Sequence, residues 1–486
     1  MEIGRIIRLV AAPVVLAVLA LGAWRSAENS DFEAVSGTRV EYNAVLDSPM
    51  LSARRIPQTL QAPVSDDILA TTLSTTIDRY PDQSCLTVRS GDRLLAPSST
   101  IPGGLIPASN QKLVTTFAAL EVLGPEFRFT TTVQTAASVD GGVLNGDLYL
   151  VGGGDPFLTT DAWQSQYEQV EARSRTRLED LADSVAAALA AEGVTEIDGA
   201  VVGDESFLDS QRFGPWRNGL VTQNQSGPLS ALTVNEGFVD WPETYLGTPR
   251  PRSQTDDPPR YAAEQLTELL RARGLIVNGP AAAGVTPAGA RVLAEVESPD
   301  LVATVTHVNA YSSNLGAELL LKRIGREVSG EGSTAAGAQA VRGVLGDLGV
   351  PLNDVVINDG SGLAESNRVT CEMLAELLTI AGTESPLADS LAVAGERGTL
   401  RERFKETPIA GHVQAKTGSL SGVRALSGFA ESSVDEDALT FSYIINDPEL
   451  AGDVEIQAQE PLLLSLIRYP EGPTIDELSP RPARPQ

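Results

Sequence analysis

The sequence predicts a mixed α/β (α+β) protein in which a long segment is inserted into a two-part body. Three observations carry that expectation. The chain has 486 residues, 42% of them apolar, which is too long for one compact core and ample for two or three domains. Short strand-like runs alternate with helical patterns between Ser65 and Tyr469. The three clusters that read as chemistry, Ser109 to Lys112, Ser312 to Asn314 and Lys416 to Ser419, all fall outside the stretch 136–299.

Taken in order, Arg5 and Arg8 precede an apolar run from Leu9 to Trp24, with Gly22, Ala23, Ser26 and Ala27 near its end. This pattern marks residues 1–27 as a signal for export out of the cytoplasm. A helix over that run would span about 24 Å, short of a hydrocarbon core of about 30 Å. The length favours a cleavable signal peptide over an uncleaved membrane anchor. Residues 28–64 are polar and aperiodic and read as a linker. The first part of the body, 65–135, is expected to hold a helix over Asp66–Tyr80 and a hairpin of Cys85–Val88 and Arg93–Ala96 turning at Ser90-Gly91-Asp92. A largely buried helix then runs from Ala108 to Gly124-Pro125, marked by Leu113, Val114, Phe117, Ala118, Leu120 and Leu123. The insertion, 136–299, should contain strands at Val143–Val151 and Gly199–Gly203, an Ala-rich helix over Arg175–Ala191 and a Pro-rich stretch over Pro242–Pro259. The second part, 300–470, should contain helices over Leu315–Arg323 and Ala335–Leu348 and late strands at Val413–Lys416, Arg424–Glu431 and Ala438–Ile445. The Pro-rich tail, 471–486, is expected to be disordered.

Composition excludes several classes of function. A net charge of −28 and no basic patch argue against a nucleic-acid partner. The two histidines, His307 and His412, stand far apart, and Cys85 and Cys371 form no Cys-x-x-Cys pair. No metal and no cofactor are therefore expected. In an oxidising compartment the two cysteines are either one disulfide or two buried thiols. Gly152-Gly-Gly154 lacks the spacing of a nucleotide-binding loop and reads as a turn.

The chemistry is expected at lysine. The chain has four lysines against thirty-two arginines. Arginine serves wherever a permanent charge suffices, whereas a proton acceptor must be able to lose its proton. Two lysines have a telling context: Ser109-Asn-Gln-Lys112 opens a helix, and Lys416-Thr417-Gly418-Ser419 follows a strand-like run. Ser-x-x-Lys alone is a weak signal, because a Ser cap with a surface lysine looks the same. A Thr-Gly after a given lysine is much rarer. At a helix start, residues three apart share a face, so Ser109 and Lys112 can touch, beside free backbone N–H groups. Lys322 and Lys405 have no such context and read as ordinary surface or helix charges. A third cluster, Tyr311-Ser312-Ser313-Asn314, offers a hydroxyl and an amide on one turn.

The order Ser-x-x-Lys, Ser-x-Asn, Lys-Thr-Gly matches the signature of penicillin-binding proteins and class A β-lactamases. The chain resembles, over about residues 65–470, the low-molecular-mass class C penicillin-binding proteins, the D-alanyl-D-alanine carboxypeptidase/endopeptidase family of serine peptidases. The resemblance rests on Pro107-Ala-Ser-Asn-Gln-Lys112, Asn309-Ala-Tyr-Ser-Ser-Asn-Leu-Gly-Ala-Glu318, Asp359-Gly-Ser-Gly-Leu363, Gly398-Thr-Leu-Arg401, Lys416-Thr-Gly-Ser419, Gly153-Gly-Asp-Pro156 and Gly203-Asp-Glu-Ser-Phe207. It implies a serine β-lactamase/transpeptidase-like domain with extra domains inserted after the first motif helix. It further implies an exported carboxypeptidase, with endopeptidase activity as an extension, that trims peptidoglycan stem peptides through an acyl-enzyme and is blocked covalently by β-lactam antibiotics. On that basis Ser109 is the nucleophile and Lys112 its base, with Lys416 depressing the Lys112 pKa by like-charge repulsion. Ser312 relays a proton to the leaving amine, and Asn314 binds the substrate amide or Lys112. Lys416 and Thr417 hold the terminal carboxylate, Gly418 and Ser419 line the substrate, and the backbone N–H groups of Ser109 and Ser419 form the oxyanion hole. The family usually has Asp where this chain has Ser313. The alternatives are a β-lactamase or esterase on the same fold, or an inactive wall-binding module.

Overall fold

The computed structural model describes residues 57–470 apart from 79, 97–102, 166–173, 241–252, 433–437 and 450–453. The expected export signal, most of the linker, the C-terminal tail and much of the Pro-rich stretch lie outside the described residues. A six-stranded antiparallel sheet runs in the order Ala392–Val393, Val413–Leu420, Val423–Glu431, Ala438–Asn446, Ser84–Ser90, Arg93–Ala96. Chain order explains its centre, because the predicted late strands are hairpin neighbours and the early hairpin adds to their free edge.

Period-2 alternation gives this sheet two buried faces. On one face Ala425, Phe429 and Ile444 pack with Leu113, Val114 and Phe117 of the Gln111–Leu123 helix and with Leu374 and Leu378 of the Cys371–Ala381 helix. On the other, Leu426, Tyr443 and Ile445 pack with Leu69 and Leu73 of the Pro57–Ile77 helix and with Leu462 and Leu466 of the Val454–Ile467 helix. Residues 57–64, assigned to the linker on sequence, are helical. The apolar anchor at Leu69 and Leu73 lets Gln58, Leu60 and Gln61 extend the helix upstream through Pro63. A Cys85–Cys371 disulfide joins the sheet to the Cys371–Ala381 helix, which settles the pairing that the sequence left open.

A second, five-stranded sheet runs Ala282–Ala283, Val201–Asp204, Leu148–Val151, Thr130–Thr135, Arg291–Glu297. Its first strand begins at Thr130, ahead of the expected boundary at 136, because Thr130–Thr135 pairs with Arg291–Glu297. The expected strand Val143–Val151 is two strands in two sheets. The chain turns at Gly146-Asp147, where the Asp147 carboxylate accepts the Ala200 N–H at 2.8 Å. The helices Leu178–Ala191 and Pro258–Ala272 close this core through Leu181, Val185, Leu266 and Leu270.

Candidate active site

Ser109 lies in a 3-10 turn, Ala108–Asn110, that leads into the Gln111–Leu123 helix. The turn is pinned to the sheet, since the Asn110 amide donates to Ser427 Oγ at 2.7 Å. Two close approaches account for glycines in the surrounding motifs. A Cβ on Gly362, whose φ is +84°, would stand 1.8 Å from the Ala108 carbonyl oxygen, and one on Gly418 would stand 2.8 Å from that of Pro107. Only bare backbone lets the 359–363 loop and the Lys416–Gly418 strand meet the turn.

Lys112 is fully buried. Its Nζ lies 3.0 Å from Ser109 Oγ, 2.6 Å from Asn314 Oδ1 and 2.7 Å from the Ser361 carbonyl oxygen. Burial pulls its pKa from 10.5 down to about 7, against the raising influence of Asp359 and Glu318. A neutral amine has two N–H bonds and one lone pair. Asn314 Oδ1 and the Ser361 oxygen can only accept, so they take both hydrogens and leave the lone pair to the Ser109 hydroxyl. The orientation of the Asn314 amide is itself fixed, because its Nδ2 donates to the Gln225 carbonyl at 2.6 Å. Gln225 belongs to the stretch between the first two motifs, and a backbone carbonyl has no sequence signal, so its arrival in the site was not foreseeable.

Lys416 is also fully buried; its Nζ donates to Ser312 Oγ at 3.1 Å and to the Thr417 carbonyl at 2.9 Å. Burial first, and then the charge of Lys112, hold its pKa well below 10.5. Desolvation is the largest influence on both amines, and the repulsion between two such charges is mutual. Ser312 sits at φ +62°, a strained backbone for a non-glycine residue. Ser313 caps the Asn314–Ser329 helix by accepting the Gly316 N–H at 3.1 Å, a function that Asp would serve equally well. Thr417 Oγ1 donates to Thr399 Oγ1 at 3.0 Å, which places the Gly398-Thr-Leu-Arg401 motif beside the Lys-Thr-Gly strand. Gly418 is buried and Ser419 exposed at the mouth. A cavity of about 450 Å³ opens beside Ser419, bounded by Leu420 and Ser421 on the strand and by Arg217, Leu220, Gln223 and Gln225 opposite.

The structure thus brings residues from three distant stretches of chain into two hydrogen-bonded groups, Lys112 with Ser109 and Asn314, and Lys416 with Ser312 and Thr417. It corrects one reading. Lys322 is no surface charge: it is fully buried and donates to Asp209 Oδ1 at 2.5 Å and to the Gln211 carbonyl at 2.9 Å. Lys405 is exposed, paired with Glu402 at 2.7 Å.

A Ser-x-x-Lys helix set against an antiparallel sheet, with Ser-x-Asn and Lys-Thr-Gly beside it, is the arrangement of the serine acyl-transfer class that holds the penicillin-binding proteins and class A β-lactamases. The crystal structure of penicillin-binding protein 4 from Haemophilus influenzae superposes with a TM-score of 0.65 at 23% identity, covering 82% of this chain and 97% of that one. Residues 87–249 and 241–464 match the D-Ala-D-Ala carboxypeptidase 3 (S13) family, and the chain belongs to it. Among its relatives are the D-alanyl-D-alanine carboxypeptidase of Actinomadura sp. (strain R39), 32% identical over 76% of this chain and 79% of that one, and carboxypeptidase Rv3627c of Mycobacterium tuberculosis (strain ATCC 25618 / H37Rv), 30% identical over 71% of each.

Proposed function

We propose that this serine-type D-Ala-D-Ala carboxypeptidase, a class C penicillin-binding protein, acylates through Ser109 with neutral Lys112 as general base. The observation that carries the reading is the valence of Lys112 Nζ: both its hydrogens are committed to acceptor-only oxygens and its lone pair faces Ser109 Oγ at 3.0 Å. Lys112 takes the Ser109 proton as Oγ attacks the carbonyl between two D-alanines. The oxyanion is received by the backbone N–H groups of Ser109 and Ser419, whose donors are typically worth about 3 kcal/mol each. Ser312 passes its proton to the leaving D-alanine amine and is reprotonated by Lys416, which donates to its Oγ, while the proton taken by Lys112 returns to Ser109 Oγ when the ester is cleaved. Water then hydrolyses the ester.

Two ammonium groups cannot comfortably share one buried pocket, so the site holds a shared proton. An arriving substrate carboxylate stabilises the charge on Lys416, with Thr417 beside it, and so leaves Lys112 as the neutral partner. Substrate binding in this way selects the reactive protonation state. The rest of the stem peptide is assigned to the cavity beside Ser419, with Asn314 placed for the substrate amide. The 136–299 segment is assigned to substrate access: it carries none of the three catalytic motifs, and it reaches the site through the Gln225 carbonyl on Asn314 and the Trp216 indole on Asp359. Endopeptidase cleavage of cross-linked peptides is a further activity of the same centre. A D-Ala-D-Ala carboxypeptidase meets its peptidoglycan substrate outside the cytoplasm, and the protein is assigned there; attachment or release depends on residues 1–27. Among the described residues no helix is long and apolar enough to cross a membrane.

Mass spectrometry after penicillin treatment tests the assignment. A penicilloyl ester on Ser109, abolished in Ser109→Ala, is the expected result. An adduct on another serine, or labelling that persists in the variant, sinks it. Rapid penicillin turnover with no stable adduct points instead to a β-lactamase, and a protein that no β-lactam labels points to a wall-binding module.

A further inference from the structure

Two pieces of the sequence pattern, Glu318 and Asp359-Gly-Ser-Gly, have side chains with no step in the chemistry above, yet they meet beside Lys112. Glu318 lies on the Asn314–Ser329 helix, one turn beyond Asn314, and is fully buried. Its Oε1 accepts the N–H groups of Ser361 at 2.8 Å and Gly360 at 3.1 Å. The carbonyl of that same Ser361 receives Lys112 Nζ. Asp359 holds the loop from its other end: it accepts the Gly362 N–H at 2.8 Å, the Ala364 N–H at 2.7 Å, the Asn367 amide at 2.6 Å and the Trp216 indole N–H at 2.9 Å.

We propose that Glu318 is a positioning residue for acylation, which anchors the 360–361 backbone so that the Ser361 carbonyl stays on Lys112 Nζ and the lysine lone pair stays on Ser109. The inference rests on Lys112 being the base. The geometry requires only an acceptor at Oε1, and burial, with Asp359 nearby, pushes the Glu318 carboxyl up from its ordinary value, toward the neutral acid. Its Oε2 is buried with no hydrogen-bond partner among the described residues, so no donor there compensates a full negative charge. One helix therefore bears on both acceptors that orient the lysine: it supplies Asn314 directly, and through Glu318 it anchors the loop that carries the Ser361 carbonyl. An ionised Glu318 would instead draw a proton onto Lys112 and silence it.

The test separates the acylation rate constant from the non-covalent dissociation constant with a chromogenic β-lactam, on folded full-length variants at pH 7. Glu318→Gln keeps a carbonyl acceptor in the same place and should acylate within about threefold of wild type. Glu318→Asp withdraws the acceptor by one methylene and Glu318→Leu removes it. Both should lose acylation rate by about 10- to 100-fold, the scale of a displacement of about 1 Å at a reacting group, with the dissociation constant unchanged. Glu318→Asp preserves folding chemistry should Glu318→Leu fail to fold. Wild-type acylation by Glu318→Asp overturns the inference, and so does a tenfold or greater loss in Glu318→Gln, which would mean that the carboxyl itself matters. Lys112→Arg in parallel keeps the two readings apart. If it acylates normally, the assignment of the base has failed; if it is inactive while Glu318→Asp is not, only the role of Glu318 has failed.

Discussion

Lys112 and Lys322 are both fully buried, yet their surroundings make opposite use of the amine. Every oxygen around Lys112 Nζ is neutral, two carbonyl-type oxygens and a hydroxyl, whereas Lys322 faces the Asp209 carboxylate. Burial against neutral acceptors makes a base, because the coulombic pull of Asp359 and Glu318 offsets only part of the cost of the charge; burial against a carboxylate makes a strut. The strut ties the Asn314–Ser329 helix to the 205–212 stretch, and the base sits at the far end of that helix's motif.

The sharpest way to break the comparison is Lys112→Arg, which retains the charge and removes the ability to lose a proton and act as a neutral base. Acylation by a chromogenic β-lactam is expected to fall by roughly 10² to 10⁴, the range for lost general-base catalysis. Next is pH. Lys112 is neutral above about 7 in the folded protein, so the acylation rate should rise as pH passes through 7 and level off beyond it. The sign for stability follows from the same shift. Between about 7 and 10.5 the unfolded chain binds the proton that the folded chain has lost, so this group's contribution to stability rises with pH across that window and its cost is fully present below it. A rate that falls through pH 7 would contradict the neutral-base reading.

Lys322→Met should do the reverse of Lys112→Arg. It is expected to cost about 2 kcal/mol in denaturant unfolding, less than the 3–5 kcal/mol of a wholly buried pair because the Asp209 side chain is 33% exposed, while the acylation rate of the folded protein stays within about twofold of wild type. Loss of acylation without loss of stability would dissolve the distinction. The smallest effect is expected for Lys405→Arg, at an exposed pair with Glu402, where stability should change by less than about 0.5 kcal/mol.

The same contrast explains what could be read from sequence. Ser109 and Lys112 were legible because one helical turn carries both and lysine is rare in the chain. The late strands and the early hairpin were legible because turn residues separate runs of β-branched and apolar side chains. Lys416 and Ser312 could be joined only through the family resemblance, since nothing local says that a strand will reach a helix start so far away in the chain. The burial of Lys322 was illegible for the same reason: its partner, Asp209, arrives from the inserted stretch. The Gln225 and Ser361 carbonyls carry no side-chain signal at all. Long-range backbone contacts decided the details of this site, and a single sequence does not encode them in any short pattern.

The Cys85–Cys371 bond has a consequence for the covalent integrity of the protein. It closes a loop with a sequence separation of 286, and that loop contains Ser109, Ser312 and the whole inserted segment. A protease that nicks the chain anywhere between the two cysteines leaves one molecule, which migrates as a single band until it is reduced and as two fragments afterwards. For an enzyme that works outside the cytoplasm, the bond is a tether that holds the Ser109 and Lys416 halves together after the connecting chain has been cut.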